Sequence, residues 1–190
     1  MTTGALTGAP KGGVAPQSTR VANLAHFLTR AARRHGGEVG LVWGEAEWSW
    51  AEIDERASAM AAALRDRYGV EKGDRVALAM RNLPEWPVAF FAATTIGAIC
   101  VPLNAWWTGP ELAFGLANSG AKLLVCDAER WDRIAPHRAE LPDLATVLVS
   151  RSDAAPDGAE RLEDVLGTPH DYASLPQAEL PEVEIEPEDE

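Results

Sequence analysis

Apolar positions along the chain recur at two periods, and the switching between them predicts the elements. Over residues 21–35, Val21, Leu24, Ala25, Leu28, Ala31 and Ala32 fall at i, i+3, i+4 spacing, with Arg30, Arg33 and Arg34 on the other face. That pattern predicts an amphipathic helix, ended by Gly36-Gly37. Two short runs, 39–43 and 47–50, flank Gly44-Glu45-Ala46 and predict a hairpin. The alanine-rich stretch 51–68 predicts a long helix that buries Ile53, Ala57, Met60, Ala61 and Leu64, with Gly69 just past its end.

From residue 75 the alternation is regular. Strands are predicted at 75–80, 98–101, 122–126 and 145–149. Between them lie helices from about 84 to 96, from 108 to 118 and from 128 to 140. Asn82 or Leu83 is expected to cap the first of these helices, and Thr108 with Glu111 forms a capping box at the second. Residues 88–96 are apolar nearly all round, which predicts burial on most sides. Strand–helix alternation of this kind implies a parallel sheet with right-handed crossovers. The fold class is therefore α/β: a mostly parallel sheet flanked by helices, with a small N-terminal hairpin. Residues 161–166 form one helical turn or two. Residues 1–19 read as a flexible leader, 20–168 as the folded subdomain and 169–190 as an acidic linker or tail.

Charge and composition exclude some functions. The formal net charge is −12, and residues 179–190 hold seven acidic groups and no basic one, so the remainder carries −5. Neither part offers the concentrated basic face that nucleic acid requires. No apolar run is long enough to span a bilayer, and the N-terminus lacks the apolar core of a signal peptide. With Cys100 and Cys126 in apolar runs, read as buried free thiols, the chain is expected to be cytoplasmic. The four histidines are scattered, no metal spacing is present, and no complete catalytic constellation is found. The dinucleotide fingerprint is missing after the strand at 75–80. TGALTGAPKG, from Thr3 to Gly12, has the glycines, threonines and lysine of a phosphate loop. Such a loop hangs between a strand and a helix, and none is predicted around Thr3, so the stretch is expected to belong to the flexible leader rather than to hold phosphate.

Three stretches in order resemble a known family. WSWAEIDERASAMAAAL (48–64), GVEKGDRVALAMRNLPEWPVAFFAATTIGAICVPLN (69–104) and TGPELAFGLANSGAKLLVCD (108–127) are similar to the N-terminal subdomain of the acyl-adenylate-forming, AMP-binding superfamily. Fatty-acid and other acyl-CoA ligases are the subgroup they most resemble. The resemblance implies activation of a fatty or other carboxylic acid with ATP and Mg, followed by transfer of the acyl group to coenzyme A. The family's phosphate loop, its ribose-binding aspartate and its C-terminal lysine lie downstream of the matched region. The expectation is thus an N-terminal portion cut before the phosphate loop, inactive alone, with self-association through surfaces exposed by the cut. The resemblance also implies coenzyme A nucleotide contacts at Trp106, Trp107 and Arg130: indole stacks on adenine and guanidinium pairs with phosphate. The other reading of these residues is structural, with Trp106 and Trp107 packed under the next helix and Arg130 a solvated helix residue. A non-catalytic α/β binding or interaction module built on the same subdomain is the competing function, and a flavodoxin-like or regulatory domain is a third.

Overall fold

A computed structural model describes residues 24–166 and 183–185. The expected leader and most of the acidic linker or tail lie outside the described residues.

Helix α1 (Ala25–His35) leads into the antiparallel hairpin of β1 (Val39–Trp43) and β2 (Ala46–Ser49), then into α2 (Trp50–Asp66). A second sheet follows, built from β3 (Arg75–Ala79), β4 (Ile99–Pro102), β5 (Leu123–Asp127), β6 (Thr146–Ser150) and β7 (Glu160–Arg161). All its pairings are parallel, in the order β4-β3-β5-β6-β7. Helices α3 (Glu85–Thr95), α4 (Gly109–Ser119) and α5 (Ala128–Ile134) are the crossovers, and α6 (Leu162–Leu166) follows β7.

Parallel strands are buried on both faces, so their side chains divide between two cores. Val76, Leu78 and Met80 at β3, with Leu123 and Val125 of β5, face the side of α1, α2 and α3. Ala77, Ala79, Leu124 and Cys126 face the side of α4 and α5, against Leu112, Leu116, Trp131 and Ile134. Burial pushes the Cys126 thiol well up and Cys100 up to about 12, so both stay protonated thiols at neutral pH.

Several expectations shift. Helix α3 has no side-chain cap at Asn82 or Leu83; Pro84, already helical at φ −57°, is its first flanking residue. Val88, Ala89, Ala92 and Ala93 of α3 are buried, but Trp86, Phe90 and Phe91 are only half-buried, so one flank of the apolar helix faces outward. The helix expected over 128–140 stops at Ile134 and continues as a 3₁₀ turn, Ala135–Glu140. Pro136 explains the change, since it lacks an N–H and its ring clashes with the carbonyl one turn back. Strand β7 escapes sequence patterning because two residues show no period.

Two capping boxes fix helix starts. Ser49 and Glu52 close α2, and Thr108 and Glu111 close α4 as expected. The backbone N–H of Ser49 donates to Glu52 and that of Thr108 to Glu111, and these bonds hold both carboxyls below their ordinary 4.5. A lowered carboxyl stabilises the fold above its unfolded pKa and loses that stabilisation as pH falls through the folded value. The thermal midpoint, followed by circular dichroism, is therefore expected to be flat at neutral pH and to fall once pH drops below 4.5. A midpoint that rises on acidification would contradict this.

Near the sheet's opposite end, Lys72 Nζ donates to the Glu184 carbonyl at 2.9 Å. Among the described residues no helix is long and apolar enough to cross a membrane.

Candidate functional site

Strand order defines a crevice. The β3–α3–β4 connection runs to one side of β3 and the β5–α5–β6 connection to the other, although β3 and β5 are neighbours. Ligand sites in open α/β sheets form at such a switch point, beyond the carboxyl ends of the strands. Here those ends are the turn after β3, starting at Met80 and Arg81, and the end of β5 at Asp127.

Asp127 organises this end of the sheet. One carboxylate oxygen accepts from the backbone N–H of Arg81 at 3.0 Å, bridging β5 to the turn after β3. The other accepts from the backbone N–H of Arg130 at 3.0 Å and so caps α5. Arg130 Nη1 donates to both oxygens, at 3.0 and 2.9 Å, and to Glu129 at 3.0 Å. Its Nε reaches across to the Ala105 carbonyl, in the turn after β4, at 2.8 Å. Arg130 is 1% exposed and Asp127 6%. Arg130 is thus no solvated helix residue: it ties β4, β5 and α5 together. Its remaining nitrogen, Nη2, is buried with no hydrogen-bond partner.

The two tryptophans part company. Trp107 is half-buried against Leu103 and the second core, beside Gly115, where a side chain would collide with its ring. Its carbonyl accepts from Arg133 Nη1 at 2.9 Å, which holds the loop to α5. Trp106 is 69% exposed, and its backbone N–H donates to Asn104 Oδ1 at 2.9 Å. The Arg81 guanidinium lies 3.7 Å from its ring centre, a cation–π contact. The structure therefore brings Trp106, Trp107 and Arg130 to one end of the sheet, and adds Arg81 and Asp127, which sequence reasoning missed. An Asp three residues before an Arg at a strand-to-helix turn was the available signal. Chemically, the cluster offers an exposed indole, a cation on its ring and a buried guanidinium nitrogen, groups suited to an aromatic base and an anion.

A second group lies at the end of β6. Arg151 has φ +59°, the left-handed region that few residues other than glycine enter. Its side chain pairs with the buried Glu85 of α3 at 3.0 Å and covers the Trp43 ring at 4.3 Å, while its backbone N–H donates to Glu163. Sheet, α3 and hairpin are locked together there.

Fold and crevice define an open α/β domain of the kind that takes ligands beyond its strand ends. The AMP-binding enzyme family model matches residues 28–189, and the chain belongs to that family. A long-chain-fatty-acid–CoA ligase from Yersinia pestis is 35% identical over 106 residues, 56% of this chain and 19% of that protein. A Mycobacterium marinum ligase named for medium/long-chain fatty acids and 3-oxocholest-4-en-26-oate is 30% identical over 135 residues, 71% of this chain and 24% of that one. Among solved structures, the N-terminal domain of FACL13 from Mycobacterium tuberculosis aligns with a TM-score of 0.71 at 27% identity, over 88% of this chain and 40% of that one. The chain spans about a fifth of the length of the curated ligases it matches.

Proposed function

We propose that this chain supplies the N-terminal portion of an ATP-dependent acyl-CoA ligase, which activates a fatty or other carboxylic acid as its acyl adenylate and then forms the thioester. Membership of the AMP-binding family, with relatives named as fatty-acid–CoA ligases, carries the reading. In the whole protein ATP, Mg and coenzyme A take part, and coenzyme A supplies the thiol that receives the acyl group. The residues present suit the nucleotide end of coenzyme A, because an exposed indole and an unpartnered, buried guanidinium nitrogen lie at one strand end. Trp106 stacks the adenine, Arg130 with Arg81 holds phosphate, and Trp107 positions the loop through its bond to Arg133. They do not suit Mg: among the described residues no three His, Cys, Asp or Glu side chains gather into a candidate metal site.

Two measurements test the reading. By itself the 190-residue chain is expected to form no acyl-AMP from ATP and a fatty acid; turnover would overturn this part. Calorimetry should show coenzyme A binding that Trp106→Ala weakens by roughly 5- to 100-fold, the worth of one base–aromatic stack. Equal binding by Trp106→Ala would remove Trp106 from the site.

A further inference from the structure

A line of rings crosses the outer flank of α3. Phe27 of α1 stacks on Phe91 at 6.1 Å, Phe91 meets Phe90 edge-on at 5.5 Å, and Phe90 stacks on Trp86 at 5.2 Å. Trp86 in turn lines an open cleft of about 300 Å³ between α3 and the hairpin, which Val42 and Trp43 line as well. Leu24, at the α1 end of this surface, is 59% exposed, and Val42, at the hairpin end, is 64% exposed. Apolar residues standing singly on a surface are ordinary, but a contiguous patch of this kind marks an interaction site.

The charges beside the patch point to the partner. On α1, Arg30 and Arg34 follow Phe27 by three and seven positions and so stand on its side of the helix. On the hairpin, Glu45 is in the turn, and Glu47 is opposite Val42 in the strand register, which puts its side chain on the face of Val42. Among the described residues, Arg30, Arg34, Glu45 and Glu47 have no ion-pair partner. Neighbouring charges, by contrast, are matched within the chain: His35 pairs with Glu38, and Asp54 accepts from Thr29 beside Arg33. The patch thus has a basic side and an acidic side, both unanswered. A two-fold pairing sets a surface against its own copy in reverse, so a surface with opposed charges is complementary to itself.

We propose that this face joins two copies of the chain about a two-fold axis. The aromatic flanks of the two α3 helices pack together, and Arg30 and Arg34 of each copy meet Glu45 and Glu47 of the other. The self-association expected from the sequence then has a defined surface, held by opposite charges as well as by apolar area. Trp106 and Arg130 take no part in it.

Sedimentation of the 190-residue chain over a range of concentrations tests this, and a monomer–dimer equilibrium is expected. Two charge reversals should each weaken the dimer by at least about 10-fold, because each sets like charges against one another. Arg30→Glu with Arg34→Glu makes both sides of the patch acidic, and Glu45→Lys with Glu47→Lys makes both basic. Mixed in equal amounts, these two variants should form a heterodimer about as tight as the unaltered dimer, since opposite charges then meet at both contacts. Leu24→Ser with Val42→Ser, both at exposed positions, should weaken the dimer by at least about 10-fold at unchanged charge, through lost apolar burial. A chain that stays monomeric at every concentration overturns the proposal and leaves the face to an unlike partner. So does a dimer that either charge reversal leaves intact, which places the copies on another surface, and a mixture that stays monomeric, which removes the two-fold arrangement. Sedimentation reads no ligase chemistry, so this pairing and the proposed function fail separately.

Discussion

Asp127→Ala is expected to lower the unfolding free energy by about 3–5 kcal/mol, the cost of breaking a buried charge pair. Asp127 accepts from Arg81, from the Arg130 backbone and twice from the Arg130 guanidinium. Alanine leaves a 1%-exposed arginine with only Glu129 and Ala105. It also uncaps α5 and cuts the tie between β5 and the turn after β3. Native domains hold only 5–15 kcal/mol in reserve, so the variant should sit near its unfolding threshold. Urea titration measures the loss. Asp127→Ala/Arg130→Met should be less damaging than the two single changes added together, since the pair acts as a unit. A loss below about 1 kcal/mol for Asp127→Ala would show that the pair does not carry this end of the sheet.

The second large effect is expected in the centre of the sheet. Leu78→Ala should cost about 2–5 kcal/mol, because truncating a fully buried leucine adds a cavity to the lost transfer energy. Leu78 is 0% exposed in β3, paired with β4 on one side and β5 on the other. Neighbours held by two ladders cannot close the void by shifting. Phe114→Ala removes a larger side chain that is 71% exposed and should change stability by no more than about 0.5 kcal/mol. Similar losses in the two variants would mean that the core lies elsewhere.

The contrast between these positions also shows what a sequence can encode. Periodicity placed Leu78 in a buried strand and Thr108 with Glu111 at a helix start, because both depend on neighbours within a few residues. The role of Arg130 depends on more. Its carbonyl partner at Ala105 follows β4, its carboxylate partner ends β5, and β3 lies between those strands. Strand order is not written in local spacing, so a buried tie looked the same as an outward-facing helix arginine. The exposed flank of α3 was missed for a related reason. A helix apolar all round predicts cover on all sides, but only neighbouring elements decide which rings are covered. The short β7 and the Pro136 break differ again: the first carries no period at all, and the second gives way to a single residue that forbids the next turn.

The place of β3 in the sheet has a consequence for synthesis. Both of its partners come later in the chain, β4 first and β5 about fifty residues after β3 begins. At ribosomal rates of about 5–20 residues per second, β3 leaves the ribosome several seconds before its second edge can be matched. During that interval an apolar strand has an open edge, and only its face toward α1, α2 and α3 has helices at hand to cover it, because α4 and α5 have still to be made or completed. A pause in translation between α3 and β5 should therefore raise aggregation of this chain more than the same pause placed after β6.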